Sequence, residues 1–391
     1  MNPSLHRDPQ ISSARYRNAL GLSKFELVER GVSRLTVLGV CLLSVLLVFL
    51  IAEGAVRIRQ YVKYGSARGA LFKTAIDSRT GLPVPIANQV TGTIRINSLG
   101  FRGPEILQPK PADDIRLAFL GASTNFCAEN SSNAATWPDL VWRSFQQSDP
   151  DLKWDYINAG VPGYTVEQSL KDFRERVAPL QPDVIIIYHS TNDLSWDTRE
   201  LARQKLLFSG KVDGYGWLAQ YSVLIRLIEL NTQVRQRQQL AMSGKARLTY
   251  DPVALSVGFH QHLGELVRAA QQFSPVVAVA TFSIKLRREQ SPQEQLHSAE
   301  SSLYYMPYMS IKGLLDGFDQ YNRVIRDVAL ETGAVLIDGE NDIPGDDVHF
   351  NDSVHFKDPG SAAMARRVES ALRVAPVFQR LRLERRQNRK P

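Results

Sequence analysis

Cysteine is nearly absent from this chain. There are two among 391 residues, Cys41 inside an apolar run and Cys127 in the middle of the sequence. They lie in such different contexts that no disulfide is expected, and the redox state of the compartment is left open. With only seven histidines, no Cys/His cluster has metal-binding spacing, so neither a metal centre nor a cofactor is expected. A strong charge of one sign is also missing: 47 Lys and Arg against 40 Asp and Glu give +7. The excess is spread along the chain and no nucleic-acid motif accompanies it, so nucleic acid is not an expected partner. The one dense basic run, 380–390 (RLRLERRQNRK), closes the chain, and residues 376–391 read as a solvated basic tail. No internal repeat is present.

Long apolar runs are scarce, with one exception. Residues 35–52 read LTVLGVCLLSVLLVFLIA, eighteen positions without a charge. That is long enough for a transmembrane helix and longer than a usual signal-peptide core. A soluble core helix would carry polar residues at helical spacing, and this run does not. The 34 residues ahead of it, and the lack of a small-residue cleavage site, argue against a cleaved leader. Orientation is weakly coded. Arg15, Arg17, Lys24, Arg30 and Arg34 precede the run, and Arg57, Arg59, Lys63 and Arg68 follow it. This slight asymmetry favours an inside N-terminus. The expected order is a cytoplasmic segment 1–34, a membrane helix 35–52, a Gly-, Pro- and Arg-rich connector 53–110, and a large domain 111–375 outside the cytoplasm.

In that domain apolar runs alternate with helical patterns. Candidate strands are 115–120 (IRLAFL), 154–157 (WDYI), 184–188 (VIIIY), 276–281 (VVAVAT) and 334–337 (AVLI). In 311–330, apolar residues recur at three- and four-residue steps from Leu314 to Val328, which predicts an amphipathic helix. Short, unalternated strands separated by helices indicate an α/β fold with a parallel sheet covered on both faces. In such a sheet the ligand sits beyond the C-terminal strand ends. Residues 195–272 read as a helical insertion.

Four stretches fall where the chain reaches the top of that sheet: Gly121-Ala122-Ser123-Thr124, Asn158-Ala159-Gly160-Val161-Pro162-Gly163-Tyr164, His189-Ser190-Thr191-Asn192-Asp193, and Asp352-Ser353-Val354-His355. Each alone is ordinary turn material. Together they suit acyl transfer through serine. A serine hydroxyl needs a base to take its proton. His355 can be that base, because imidazole titrates near neutrality. Asp352 can accept the other imidazole N–H and fix the tautomer. The Ser123 N–H, the Gly163 N–H and the Asn192 amide could supply an oxyanion hole.

In this order the four stretches resemble the SGNH, or GDSL-type, serine hydrolase superfamily. Trp137-Pro138 is also similar to that family, and Asn97-Ser98-Leu99-Gly100-Phe101-Arg102-Gly103 is similar to a segment of its membrane-anchored bacterial members. The resemblance spans roughly 95–375, with no motif in 195–272. It implies a flavodoxin-like three-layer α/β/α fold with a parallel sheet, preceded here by one transmembrane helix. By position it implies Ser123 as nucleophile, Asp352 and His355 as its partners, and Ser123, Gly163 and Asn192 as oxyanion donors. It further implies hydrolysis of acyl esters, acetyl among them, on an envelope or extracellular glycan, by a protein of the bacterial inner membrane with its catalytic domain in the periplasm. Two positions depart from the family pattern. Ala122 replaces an Asp, and Ser190 replaces a Gly and is expected to narrow the pocket or tilt Asn192.

Other readings of the same residues stay open. The triad could pass an acyl group to a sugar hydroxyl, with 195–272 as a lid against water. A lipase or thioesterase is a second alternative, and a non-catalytic glycan-binding or assembly protein a third. Asp346-Asp347-Val348-His349 is a competing Asp-x-x-His. His355 is preferred because Asp358-Pro359 reads as the cap and first turn of a closing helix over 360–372. His189, Asp193 and Trp137 read as structural, and Cys127 as a buried small residue.

Overall fold

The computed structural model describes residues 34–64, 72–207, 216–242 and 247–388. Segment 1–33, with four of the five leading positive residues, lies outside the described residues, as do Arg68, 389–391 and parts of the 195–272 stretch. Contacts divide the chain into Met1–Ile51 and Ala52–Pro391. In the first unit the helix beginning at Arg34 leaves Leu38, Leu42, Leu46 and Leu50 all more than half exposed. Over Leu35–Val62 this helix is long and apolar enough to cross a membrane.

The second unit is built on five parallel strands: β1 (Asp114–Gly121), β2 (Lys153–Gly160), β3 (Val184–Tyr188), β4 (Val276–Ala280) and β5 (Val335–Ile337). Their order is β2-β1-β3-β4-β5, the flavodoxin-type order. Each expected strand is present, within two residues at either end except at the C-terminal end of β2, three residues further on. Every residue of β1, β3 and β4 is buried, which is why their apolar runs do not alternate. Helices flank the sheet in two packed groups. Trp137–Ser148 lies against Asp358–Val374, and Val257–Gln271 lies against Ile311–Thr332 and Val166–Asp172. The expected amphipathic helix runs Ile311–Thr332. Ser310 Oγ accepts the Gly313 N–H at its start, and Gly333 ends it at φ +69.

Register fixes the top of the sheet. Gly121 pairs with Gly160 on one side and Tyr188 on the other. The chain turns from β1 to β2, then crosses back to β3 on the far side of β1. The crevice of such a fold opens at that reversal, where Ser123, Gly163 and Asn192 follow the three strand ends.

Three boundaries differ from the sequence reading. The connector carries two short antiparallel pairs, Thr74–Ile76 with Pro83–Pro85 and Val90–Thr91 with Ile94–Arg95. Its Ile94 and Ile96 pack with Phe126, just beyond Ser123. Within 195–272, Val257–Gln271 buries Leu263, Leu266, Val267 and Ala270 and is the crossover between β3 and β4, so it belongs to the core. Helix Val223–Met242 is the added part. The Glu53 carboxylate accepts the Val223 and Leu224 N–H groups, both at 2.9 Å, at its N-terminus, where a negative charge is favoured.

The basic tail is the third. Pro376–Asn388 is a helix, and it is docked. Phe378 is fully buried, with its ring 5.0 Å from Phe145 and 6.1 Å from Trp154. Arg385 reaches Asp183 at 2.7 Å, Arg386 reaches Asp151 at 2.6 Å, and Arg382 and Arg386 both reach Asp149. The arginine density marks ion pairing to acids on the domain, which a composition reading does not distinguish from solvation. Phe378→Ala is therefore expected to cost about 3–5 kcal/mol. Urea unfolding of the full chain in detergent measures it, and an unchanged midpoint would show that the helix is not docked in solution.

Candidate active site

The nucleophile candidate sits on a single helical turn, Ser123–Phe126, immediately beyond β1. The turn must lie tight against β2. A Cβ on Gly160 would stand 2.5 Å from the Phe126 nitrogen, so only glycine fits there. Cys127 ends the turn in the left-handed region at φ +57. Its carbonyl and that of Phe126, the orphan acceptors of a helix end, receive the buried Arg102 guanidinium at 2.5 and 2.7 Å. Trp137 Nε1 donates to the Thr124 carbonyl at 3.0 Å, and its ring meets Phe119 edge-on. The Asn97 carboxamide binds the N–H groups of Leu99 and Phe101 and the carbonyl of Pro104, which shapes the loop that carries Arg102. The 97–103 motif is thus a brace for the Ser123 turn. Sequence reasoning missed the part of Arg102, whose only signal was an arginine inside that motif.

The structure brings Ser123 and His355 together across 232 positions, with His355 Nε2 2.8 Å from Ser123 Oγ. His355 Nδ1 is 2.7 Å from Asp352 Oδ2. The other Asp352 oxygen accepts the Val354 and His355 N–H groups at 2.9 and 3.0 Å, so one short turn fixes both carboxylate and imidazole. Burial pushes the Asp352 carboxyl up, but the His355 charge and these hydrogen bonds outweigh it and bring it to about 2. Burial likewise pushes His355 down, and the facing charges of Asp352 and Glu129 outweigh it, so the imidazole lies above its ordinary value. His349 pairs with Asp346 at 2.8 Å and does not line the cleft.

Gly163 adopts φ +90, which requires glycine, and a side chain there would meet only open space. Neither its N–H nor that of Ser123 donates to another group among the described residues. Asn192 Nδ2 donates one hydrogen to the Tyr164 carbonyl at 2.9 Å, which orients the amide and leaves the second hydrogen available. All five predicted site residues except Asp352 line one cleft of about 440 Å³; Asp352 stands behind His355. Thr165, Gln168 and Trp196 are shared with an adjoining lobe of about 390 Å³. Three N–H donors around a hydroxyl bonded to an imidazole can stabilise a tetrahedral oxyanion while the imidazole holds the proton.

The expected structural residues are structural. His189 is buried with Nε2 2.8 Å from Ser169 Oγ, and burial pushes it down to about 3. Asp193 accepts the Val166 N–H at 2.9 Å, tying the Asn192 helix to the one that follows Gly163. Burial, against that bond, raises it to about 8. Burial raises the Cys127 thiol to about 12, which makes it a poor nucleophile. Two expectations are corrected. Ser190 is buried and does not line the cleft, so it cannot narrow it. Asp358 lies inside the closing helix, after an N-cap at Lys357. Its carboxylate instead holds Asn130 Nδ2 and Ser131, and so joins that helix to the loop after Ser123.

The sequence profile of the GDSL-like lipase/acylhydrolase family matches residues 119–363. No curated protein matches the chain. Solved structures similar to it include Axe2, an acetylxylan esterase from Geobacillus stearothermophilus, at 17% identity and a TM-score of 0.41 over 66% of this chain and 93% of that one. LAE5, an alpha/beta hydrolase from the metagenome of Lake Arreo, Spain, is similar at 14% identity and a TM-score of 0.41, over 66% and 94%.

Asp352→Asn removes the charge that raises His355, and burial then dominates. The His355 pKa, followed by NMR titration, is expected to move from above about 6.5 to below it. Arg102→Met leaves the Phe126 and Cys127 carbonyls unpaired and is expected to cost more than about 2 kcal/mol, read as a lowered unfolding midpoint. An unmoved titration or midpoint would contradict the corresponding contact.

Proposed function

The chain belongs to the GDSL-like lipase/acylhydrolase family, and from that premise we propose that it is a membrane-anchored serine esterase that removes small acyl groups, acetyl among them, from an envelope or extracellular polysaccharide. The observation that carries the reading is the unbroken hydrogen-bond relay from Ser123 Oγ through His355 to Asp352. His355 takes the hydroxyl proton as Ser123 Oγ attacks the acyl carbonyl. Negative charge that develops on the carbonyl oxygen is met by the N–H groups of Ser123, Gly163 and Asn192, each worth on the order of 10²–10³ in rate. The imidazolium, stabilised by Asp352, returns the proton to the leaving sugar oxygen. Water then attacks the acyl-serine by the same route in reverse, and the carboxylic acid departs.

The partial exposure of the relay favours hydrolysis over transfer. The His355 and Asp352 side chains are 23% and 29% accessible, so water reaches the group that must activate it. Hydroxyl and carboxamide side chains line the cleft together with Pro162, Trp196, Met306 and Val354. In this reading the apolar N-terminal helix is a single-pass anchor in the bacterial inner membrane, and the large unit stands in the periplasm.

A fluorophosphonate probe is expected to label Ser123, and labelling should vanish in Ser123→Ala and His355→Ala while persisting in His349→Ala. The reverse histidine pattern would sink the assignment. Because the free base is the active form and Asp352 raises its pKa, kcat/KM for p-nitrophenyl acetate should fall as pH drops through a value above about 6.5. A preference for long-chain esters would favour the lipase alternative.

A further inference from the structure

Helix Thr191–Gln204 presents Asn192, Ser195, Trp196 and Arg199 to the cleft. These positions are i, i+3, i+4 and i+7, one face of a helix. The face begins at the candidate oxyanion donor and ends two helical turns further on, at Arg199. Among the described residues no aspartate or glutamate lines the cleft, and Arg199 is the only lysine or arginine that does.

Arg199 stands apart from the arginines that hold the fold. Arg102, Arg116, Arg176 and Arg367 are each bonded to carbonyls or carboxylates. Arg199 forms no ion pair among the described residues, although a buried guanidinium nitrogen without a hydrogen-bond partner is a feature it shares with Arg102 and Arg367. Its guanidinium hydrogen-bonds the buried Tyr308 hydroxyl, a partner without charge. A guanidinium on a cleft wall with its charge uncompensated favours an anion that arrives with the ligand. The adjoining lobe does not compete for that anion, since Glu167 and Asp197 line it beside Lys171. Trp196, 61% exposed, borders both lobes and offers an apolar face to a sugar ring.

We propose that the cleft is built for an acyl ester on an acidic saccharide, and that Arg199 receives a carboxylate of that saccharide. The exposed Trp196 ring, with the Thr191, Ser195, Ser301 and Ser302 hydroxyls in the same cleft, suits a sugar acid. The inference rests on the esterase reading for the ester itself, but the charge preference is a property of binding and is tested without turnover.

The test uses the full-length Ser123→Ala chain in detergent, titrated by calorimetry with trigalacturonate and with xylotriose as the neutral trimer of equal length. Trigalacturonate should bind roughly ten- to a hundredfold more tightly, the range of a charge-assisted pair, and the margin should shrink at high salt. Adding Arg199→Gln should abolish the margin, and Arg199→Lys should retain part of it. Equal affinity for both trimers, no binding of either, or a margin that survives Arg199→Gln would overturn the proposal. So would saturable binding of phosphatidylglycerol vesicles that excludes trigalacturonate. If the wild-type chain hydrolyses no ester while this margin is found, the esterase reading fails and the anion site stands.

Discussion

Three parallel strands finish on one row of the sheet, at Gly121, Gly160 and Tyr188, and the serine and the other two candidate oxyanion donors are placed by their distance along the chain from that row. Two residues beyond Gly121 stands Ser123, three beyond Gly160 stands Gly163, and four beyond Tyr188 stands Asn192. The hydrogen-bonded ladder sets the row to within a fraction of an ångström. Short loops have little freedom to spoil it. Chemistry that depends on donors held at fixed distances therefore inherits its accuracy from backbone pairing far below the surface.

The row alone does not hold the serine turn. A one-turn helix is unstable by itself, and its carbonyl ends need partners. Arg102 supplies them from the connector, Trp137 supplies another from the helix that follows, and Asp358 ties the next loop to the closing helix. These braces come from three separate regions of sequence and converge within one turn of Ser123. The connector is consequently part of the site's rigidity, although it contributes no residue to the cleft wall. The same logic applies to Asp193, which joins the Asn192 helix to the Gly163 loop through the Val166 N–H.

What could be read in advance follows from what sequence encodes locally. The strands were legible because both faces are buried, and the apolar runs say so without alternation. The five candidate site positions were readable only as a set: each stretch alone is turn material, and their order at the top of the sheet pointed to one cleft. Packing partners were not legible. The run of arginines from 380 is the same string whether it meets water or Asp149, Asp151 and Asp183, and only Phe378 hinted at docking. The inclusion of 257–271 in an insertion failed for a related reason. A crossover helix and an added helix share one periodicity, and the choice between them depends on whether a strand waits beyond. Asp358 reads as a cap beside a proline, yet tertiary partners 227 and 228 positions away claimed its carboxylate.

Electrostatic economy at the cleft follows from burial. Beneath the oxyanion donors lie His189, pushed down to about 3, and Asp193, pushed up to about 8. Cys127, beside the serine turn, is raised to about 12. Burial favours the uncharged form of all three. A fixed negative charge under Asn192 would oppose the negative oxygen that its amide must stabilise, and in a low-dielectric interior that opposition would be large. Burial disfavours a charge on Asp193 while its carboxyl keeps the hydrogen bond from the Val166 N–H. The charges at the cleft include Asp352, with Glu129 behind it, which stabilise a protonated His355, and Arg199 on the same helix face as Asn192, while Glu167, Lys171 and Asp197 line the adjoining lobe. Burial has silenced the groups that would compete, so the field across the cleft is set by the groups with a chemical or recognition task.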